Sequence, residues 1–183
     1  WRNNVAGSLS LVDAMVENGV SNIVFSSSCA IYGEPRHSPM SESTPKMPVN
    51  PYGTTKLVVE IYLGDMAKTG KLNSVSLRYF NAAGADPEGE IGEHHEPETH
   101  LIPLVLEAIQ KPACPFTVFG NDYPTEDGSC VRDYIHVSDL AAAHVQALDF
   151  LNENNSSHAF NLGAETGHSV LQILRAAQIV TGR

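Results

Sequence analysis

The chain has 183 residues, of which 42% are apolar, 17% charged and 7% aromatic. That is the composition of an ordinary globular domain, and it excludes collagen, disordered and mucin-like classes. Eleven Lys and Arg against 21 Asp and Glu give a net charge of −10, which excludes nucleic acid or an anionic membrane as the main partner but leaves room for a small anionic ligand. Cys29, Cys114 and Cys130 are too few and too scattered for a disulfide framework or a paired-cysteine zinc site, so a cytoplasmic location is expected. No apolar run approaches the roughly 18 residues that span a bilayer, and no signal peptide opens the chain. The sequence begins at Trp1, not Met, and stops at Thr181-Gly182-Arg183, so both ends read as cut.

In chain order, Val5, Leu9, Val12 and Val16 recur at helical spacing up to Gly19. Ile23-Val24-Phe25 is a short apolar run ending in Ser26-Ser27-Ser28, which predicts a buried strand with serines at its carboxyl end. Six prolines or glycines from Gly33 to Pro51 predict a loop. Over 52–68 a helical period returns through Leu57, Ile61, Tyr62 and Met66, and Val75, Leu77 and Tyr79 alternate as a strand would. Residues 81–100 predict an acidic loop holding Asp86, Glu88, Glu90, Glu93, Glu96 and Glu98. A helix is expected over 101–110, with Pro103 tolerated in its first turn, and a strand over 116–120. A further helix over 139–151 turns Leu140, Ala143, Ala147, Leu148 and Leu151 inward, and a short strand covers 160–163. Ser169-Val170-Leu171-Gln172 has the form of a capping box opening a last helix. Helix and strand alternate, so the expected fold is α/β with a mainly parallel sheet covered by helices on both faces. Ligands in such folds bind beyond the carboxyl ends of the strands, where Ser28 and Asn81 both fall.

Tyr52-Gly53-Thr54-Thr55-Lys56 sets a phenol and an ammonium on one helix face, four residues apart. A phenol with a pKa near 10 is a poor base, but a cation within about 4–6 Å lowers that by roughly 1–3 units. Lys56 could supply one cation, and an oxidised nicotinamide ring a second. Chance predicts roughly 0.16 such Tyr-x-x-x-Lys pairs in this composition, so the pair alone is equally a surface tyrosine beside a solvated lysine. A strand-end serine able to share a substrate hydroxyl with the phenol makes the combination specific.

Ser26-Ser27-Ser28, Tyr32-Gly33 and Pro51-Tyr52-Gly53-Thr54-Thr55-Lys56 resemble the extended short-chain dehydrogenase/reductase superfamily. Within it, four further stretches are similar to the UDP-glucose 4-epimerase family. They are Arg78-Tyr79-Phe80-Asn81-Ala82-Ala83-Gly84-Ala85, the run from Gly120 to Gly128, Val131-Arg132-Asp133-Tyr134-Ile135-His136-Val137, and Phe160-Asn161-Leu162-Gly163. The resemblance runs in order through essentially the whole chain. It implies a Rossmann-like NAD-binding fold, with residues 1–80 as its later part and 81–183 as mostly a UDP-sugar-binding region with returns to the sheet. It implies Tyr52 as catalytic base, Lys56 as its tuner and a ligand of the NAD ribose, and Ser28 as hydroxyl-sharing partner that also meets NAD and substrate. Asn3 and Phe80 would contact NAD. Asn81, Thr99, His100 and Leu101 would bind the UDP-sugar, Thr117, Val118 and Phe119 would line uridine, and Arg132 would pair with the diphosphate, as a planar guanidinium suits. The implied activity is interconversion of UDP-glucose and UDP-galactose by transient oxidation at C4, in a homodimer.

Two departures bear on this. His100 stands where the family often has Asn, and Ser28 is followed by Cys29-Ala30-Ile31, without the acid pair of related dehydratases, which favours epimerisation. His94, His95 and His100 among glutamates could suit zinc, but lie in a loop without fixed helical spacing, so no metal is expected. His136 is expected to be a structural histidine, and Cys130 to be buried. The apolar faces of the first two helices are core or, by resemblance, homodimer interface. Other NAD-dependent enzymes of UDP-N-acetylhexosamines or UDP-pentoses, a dehydratase, and a non-catalytic α/β fragment remain open alternatives. The sequence contains no GxGxxG or GxxGxxG turn, which the fold needs for pyrophosphate. That turn is expected upstream of Trp1, so the 183-residue chain alone is expected to hold NAD weakly or not at all.

Overall fold

A computed structural model describes residues 1–34, 38–111 and 115–183; Pro35, in the expected proline-rich loop, and Cys114 lie outside the described residues. The elements in chain order are a π-helical turn (Arg2–Ala6), α1 (Gly7–Glu17), β1 (Asn22–Ser26), a 3-10 turn (Cys29–Tyr32), α2 (Pro51–Lys68), β2 (Asn73–Tyr79), β3 (Asn81–Ala83), α3 (Leu101–Gln110), β4 (Val131–His136), α4 (Val137–Asn154), β5 (His158–Leu162), β6 (Gly167–Ser169) and α5 (Val170–Thr181). They form two compact units: Trp1–Phe80 with Asp139–Gly163, and Asn81–Ser138 with Ala164–Arg183.

The first unit is built on a parallel sheet of order β1-β2-β5. Strand alternation sends successive residues to opposite faces. On one face Ile23 and Phe25 meet Val12 of α1 and Val59 and Leu63 of α2, with Leu72 beside them. On the other, Val24, Val75, Leu77 and Phe160 meet Ala147 and Leu151 of α4. Helices therefore cover both faces, and each fully buried Val or Leu contributes about 2 kcal/mol over leaving it exposed. β2 is the middle strand, and the five residues from Ser74 to Arg78 are all buried. Its polar residues share a face with large neighbours: Ser76 is in register with Phe25, and Arg78 with Asn161.

In the second unit β4 lies between parallel β3 and antiparallel β6. Ser169 opens α5 through a reciprocal capping box with Gln172, as its spacing predicts. Asp127 accepts hydrogen bonds from the hydroxyls of Ser169 and Ser129, in that order the causes that hold its carboxyl below the ordinary range. One cap thus ties a loop to a helix start.

The structure departs from these expectations in four places. Residues 116–120 form no strand among the described residues, and Phe119 is 84% exposed; a strand needs a ladder partner, which alternation alone does not supply. In α2 the buried positions are Gly53, Thr55, Val59 and Leu63, while Ile61 points outward. Close approach at Gly53 and a hydrogen bond to Thr55 help set that face, not apolarity alone. Leu148 is likewise exposed, one residue past the buried Ala147. The short β3 inside the expected 81–100 loop is held by register with β4, a partner distant in sequence.

Candidate active site

The first unit gathers Ser28, Tyr52 and Lys56 beyond the carboxyl end of β1. Asn50 caps α2, its side-chain oxygen accepting from Gly53 N at 2.8 Å, and Pro51 occupies the first turn, where a missing N–H costs nothing. That places Tyr52 in the first turn, half exposed. Gly53 is required there: a Cβ would stand 2.4 Å from the Ala30 carbonyl oxygen. Helix α2 therefore rests directly on the 3-10 turn that Ser28 caps, its hydroxyl oxygen accepting from Ala30 N at 3.2 Å.

Burial raises the Tyr52 pKa, the Ser28 hydrogen bond lowers it, and the nearby Tyr79 phenol raises it again, with a net upward shift. Lys56 Nζ donates to the Ser26 carbonyl at 2.9 Å, and lies 5.6 Å from the centre of the Tyr52 ring and 5.1 Å from that of Phe25. Burial lowers its pKa. The ammonium is thus placed by a strand-end carbonyl and two ring faces. Asn3 is exposed on the π-helical turn, and Asn4 beside it donates to Thr55 Oγ1 of α2 at 3.0 Å. Phe80 packs against Cys29, Ile31 and Tyr32.

The second unit holds the other candidate residues. Asn81 Nδ2 donates to the Asp133 carbonyl at 2.9 Å, which brings it to the strand carrying Arg132. Arg132 is exposed, its Nη1 donating to the Val131 carbonyl at 3.1 Å, and it makes no ion pair among the described residues. Thr99 and His100 are exposed, Leu101 begins α3, Thr117 and Phe119 are exposed and Val118 half-buried. A cavity of about 350 Å³ is lined by Ala82, Gly84, Ile91, Glu93, His100 and Val137. His95, Glu98 and His100 bring potential ligand atoms within 4.8 Å of one another. His100 Nδ1 is 2.9 Å from Glu93 and 3.0 Å from Glu98, whose carboxylate accepts the backbone N–H groups of Thr99 and His100. His136 accepts from Ser138 N through Nδ1, a local turn bond. Cys130 is half-buried.

Sequence reasoning assigned no role to Glu60, Tyr32, Arg78 or His144. Arg78 is 2% exposed and pairs with Glu60, while Ser26 Oγ lies 2.9 Å from His144 Nε2. An arginine in a strand flanked by buried residues was the available signal, because a buried guanidinium requires an acid.

The pattern of the NAD dependent epimerase/dehydratase family matches residues 1–163. A curated UDP-glucose 4-epimerase of Rhizobium leguminosarum bv. trifolii is 52% identical over 183 residues, 100% of this chain and 56% of that protein. The crystal structure of UDP-glucose 4-epimerase from Brucella ovis in complex with NAD superposes with a TM-score of 0.94 at 49% identity, covering 97% of this chain and 55% of that one. A Stenotrophomonas maltophila UDP-glucose-4-epimerase with bound NAD and formylated UDP-arabinopyranose gives a TM-score of 0.94 at 45% identity, covering 99% and 55%. The chain spans about half the length of the relatives it matches. Its match over most of its length, on a parallel α/β scaffold, shows that the chain belongs to the NAD dependent epimerase/dehydratase family.

Proposed function

We propose that this chain carries the catalytic centre of a UDP-hexose 4-epimerase, which interconverts UDP-glucose and UDP-galactose in galactose metabolism. The observation that carries the reading is the meeting of Ser28, Tyr52 and Lys56 at one sheet end in a chain of this family. The residues suit the nicotinamide-ribose half of NAD. Lys56 spends one N–H on Ser26 and has two left for ribose hydroxyls, Asn3 offers an exposed amide, and Phe80 an apolar ring. NAD bound there would supply the hydride chemistry at sugar C4.

The protein residues handle the proton and the charge. Tyr52 takes the proton of the 4-hydroxyl, and Ser28 shares that hydroxyl with it. Burial works against the phenolate, so the nearby Lys56 ammonium is needed to bring the phenol towards working range. Arg132 pairs with the diphosphate, and with no ion pair among the described residues its guanidinium is available. Asn81, Thr99, His100 and Leu101 engage the sugar nucleotide, and Thr117, Val118 and Phe119 the uridine. In this reading the partners are NAD and a UDP-hexose, and the protein is a cytoplasmic homodimer.

The test is incubation of the full-length protein carrying this chain with UDP-galactose, UDP-N-acetylgalactosamine and a UDP-pentose in parallel, with products resolved by ion-exchange chromatography. UDP-galactose is expected to give UDP-glucose. Turnover of only an N-acetylated or pentose substrate would replace the hexose assignment, and a dehydrated product would replace the reaction.

A further inference from the structure

We propose that the buried cluster of Glu60, Arg78, Tyr32 and Ser27 is the positioning device that holds Ser28 against Tyr52. This rests on the reading of Tyr52 as the base. Arg78 Nε and Nη2 donate to the two oxygens of Glu60 at 2.9 and 2.7 Å. Arg78 Nη1 donates to the Tyr32 hydroxyl at 2.8 Å, and that hydroxyl donates to Asn161 Oδ1 at 2.6 Å. Ser27 Oγ donates to Glu60 Oε1 at 2.6 Å.

Ser28 is thereby bracketed. The residue before it is tied to Glu60, and Tyr32, which ends the turn Ser28 caps, is tied to Arg78. Between them Cys29 Sγ donates to the Arg78 carbonyl at 3.4 Å. Gly53 of α2 also packs closely on the Ala30 carbonyl. The backbone carrying Ser28 is thus fixed to α2, the helix that carries Tyr52, at two points: Gly53 on the turn after Ser28, and Glu60 on Ser27 and on Arg78 of β2. Both partners of the Arg78–Glu60 pair are nearly inaccessible, with side chains 3% and 6% exposed. Buried pairs recover their desolvation cost poorly, and apolar substitutes often serve stability as well. What apolar residues could not supply is a directional hold on Ser27 and Tyr32 at once.

The test uses full-length protein labelled with carbon-13 at the tyrosine ring carbon bearing oxygen. Tyr52 is identified as the resonance lost in Tyr52→Phe, and its titration midpoint is followed by NMR. Ser28→Ala gives the shift for complete loss of the contact. Ser27→Ala and Tyr32→Phe each delete one hydroxyl of the cluster and leave the Tyr52 and Ser28 side chains unchanged. Both are expected to move the Tyr52 midpoint upward, towards the Ser28→Ala value, and Ser27→Thr to restore it. In turnover, kcat should fall about tenfold while KM changes less than about twofold. An unchanged Tyr52 midpoint in either folded variant would overturn the proposal, and the second variant decides if one fails to fold. Absence of UDP-hexose turnover in the unsubstituted protein would instead remove the functional reading, and the NMR midpoint would still decide the positioning role.

Discussion

Tyr52 and Lys56 are each shifted away from their charged form by burial, the phenol upward and the ammonium downward. A phenol in this setting is a weak base until cations are added, as the role proposed for Tyr52 requires. Tyr52→Phe is therefore expected to lower kcat by about 10²–10⁴-fold with UDP affinity retained, measured by steady-state assay and calorimetry; activity within tenfold of the unsubstituted protein would mean another base. The tyrosines also fix the alkaline limit. Burial raises the pKa of Tyr32, Tyr52, Tyr62 and Tyr134 above the ordinary 10.0. Above pH 10.0 the unfolded chain loses these protons first and so binds fewer than the folded one, which makes stability fall as pH rises. Urea midpoints are expected to drop from pH 9.5 upward, roughly where these protons start to leave, and to drop less steeply in Tyr52→Phe. Tyr52, Lys56 and Ser28 were legible as candidates because they sit in short local motifs. Glu60 was not, because its partner Arg78 lies 18 residues away on a strand whose facing could only be read once its neighbours were placed.

At the scale of elements, one contact places Tyr52 and another opens α5 in the second unit. Helix α2 meets the 3-10 turn at Gly53, with Ala30 O and Pro48 Cβ where a side chain would begin. Gly53→Ala is expected to push the two apart, costing about 1–3 kcal/mol in urea unfolding, and to reduce turnover further than stability alone explains. Ser169 caps α5 and binds Asp127, so Ser169→Ala is expected to cost about 1 kcal/mol while leaving the Tyr52 midpoint unmoved; an effect on that midpoint would contradict the assignment. Element order was well legible where local chemistry decides it. The run Ile23-Val24-Phe25 predicts β1, Pro103 the start of α3, and Ser169 with Gln172 the start of α5. Residues 116–120 misled because alternation records a capacity to pair, whereas pairing depends on what lies alongside. β3 escaped notice for the converse reason: three residues are too short to carry a pattern, and β4 supplies the order.

For the molecule as a whole, the alternation of helix and strand resolves into two units whose boundary falls between Phe80 and Asn81. The first unit holds Ser28, Tyr52 and Lys56, and the second holds the residues proposed to meet the sugar nucleotide. No helix among the described residues is long and apolar enough to cross a membrane, and the acidic loop from Asp86 to Glu98 leaves Arg132 and Lys56 as the cations assigned to anionic ligands. The central claim is that hydride leaves and returns to the same carbon without exchange with solvent. UDP-galactose deuterated at C4, supplied to the full-length protein in ordinary water, measures this directly. The account predicts UDP-glucose that keeps its deuterium at C4, and loss of the label to solvent, or no conversion at all, would contradict it.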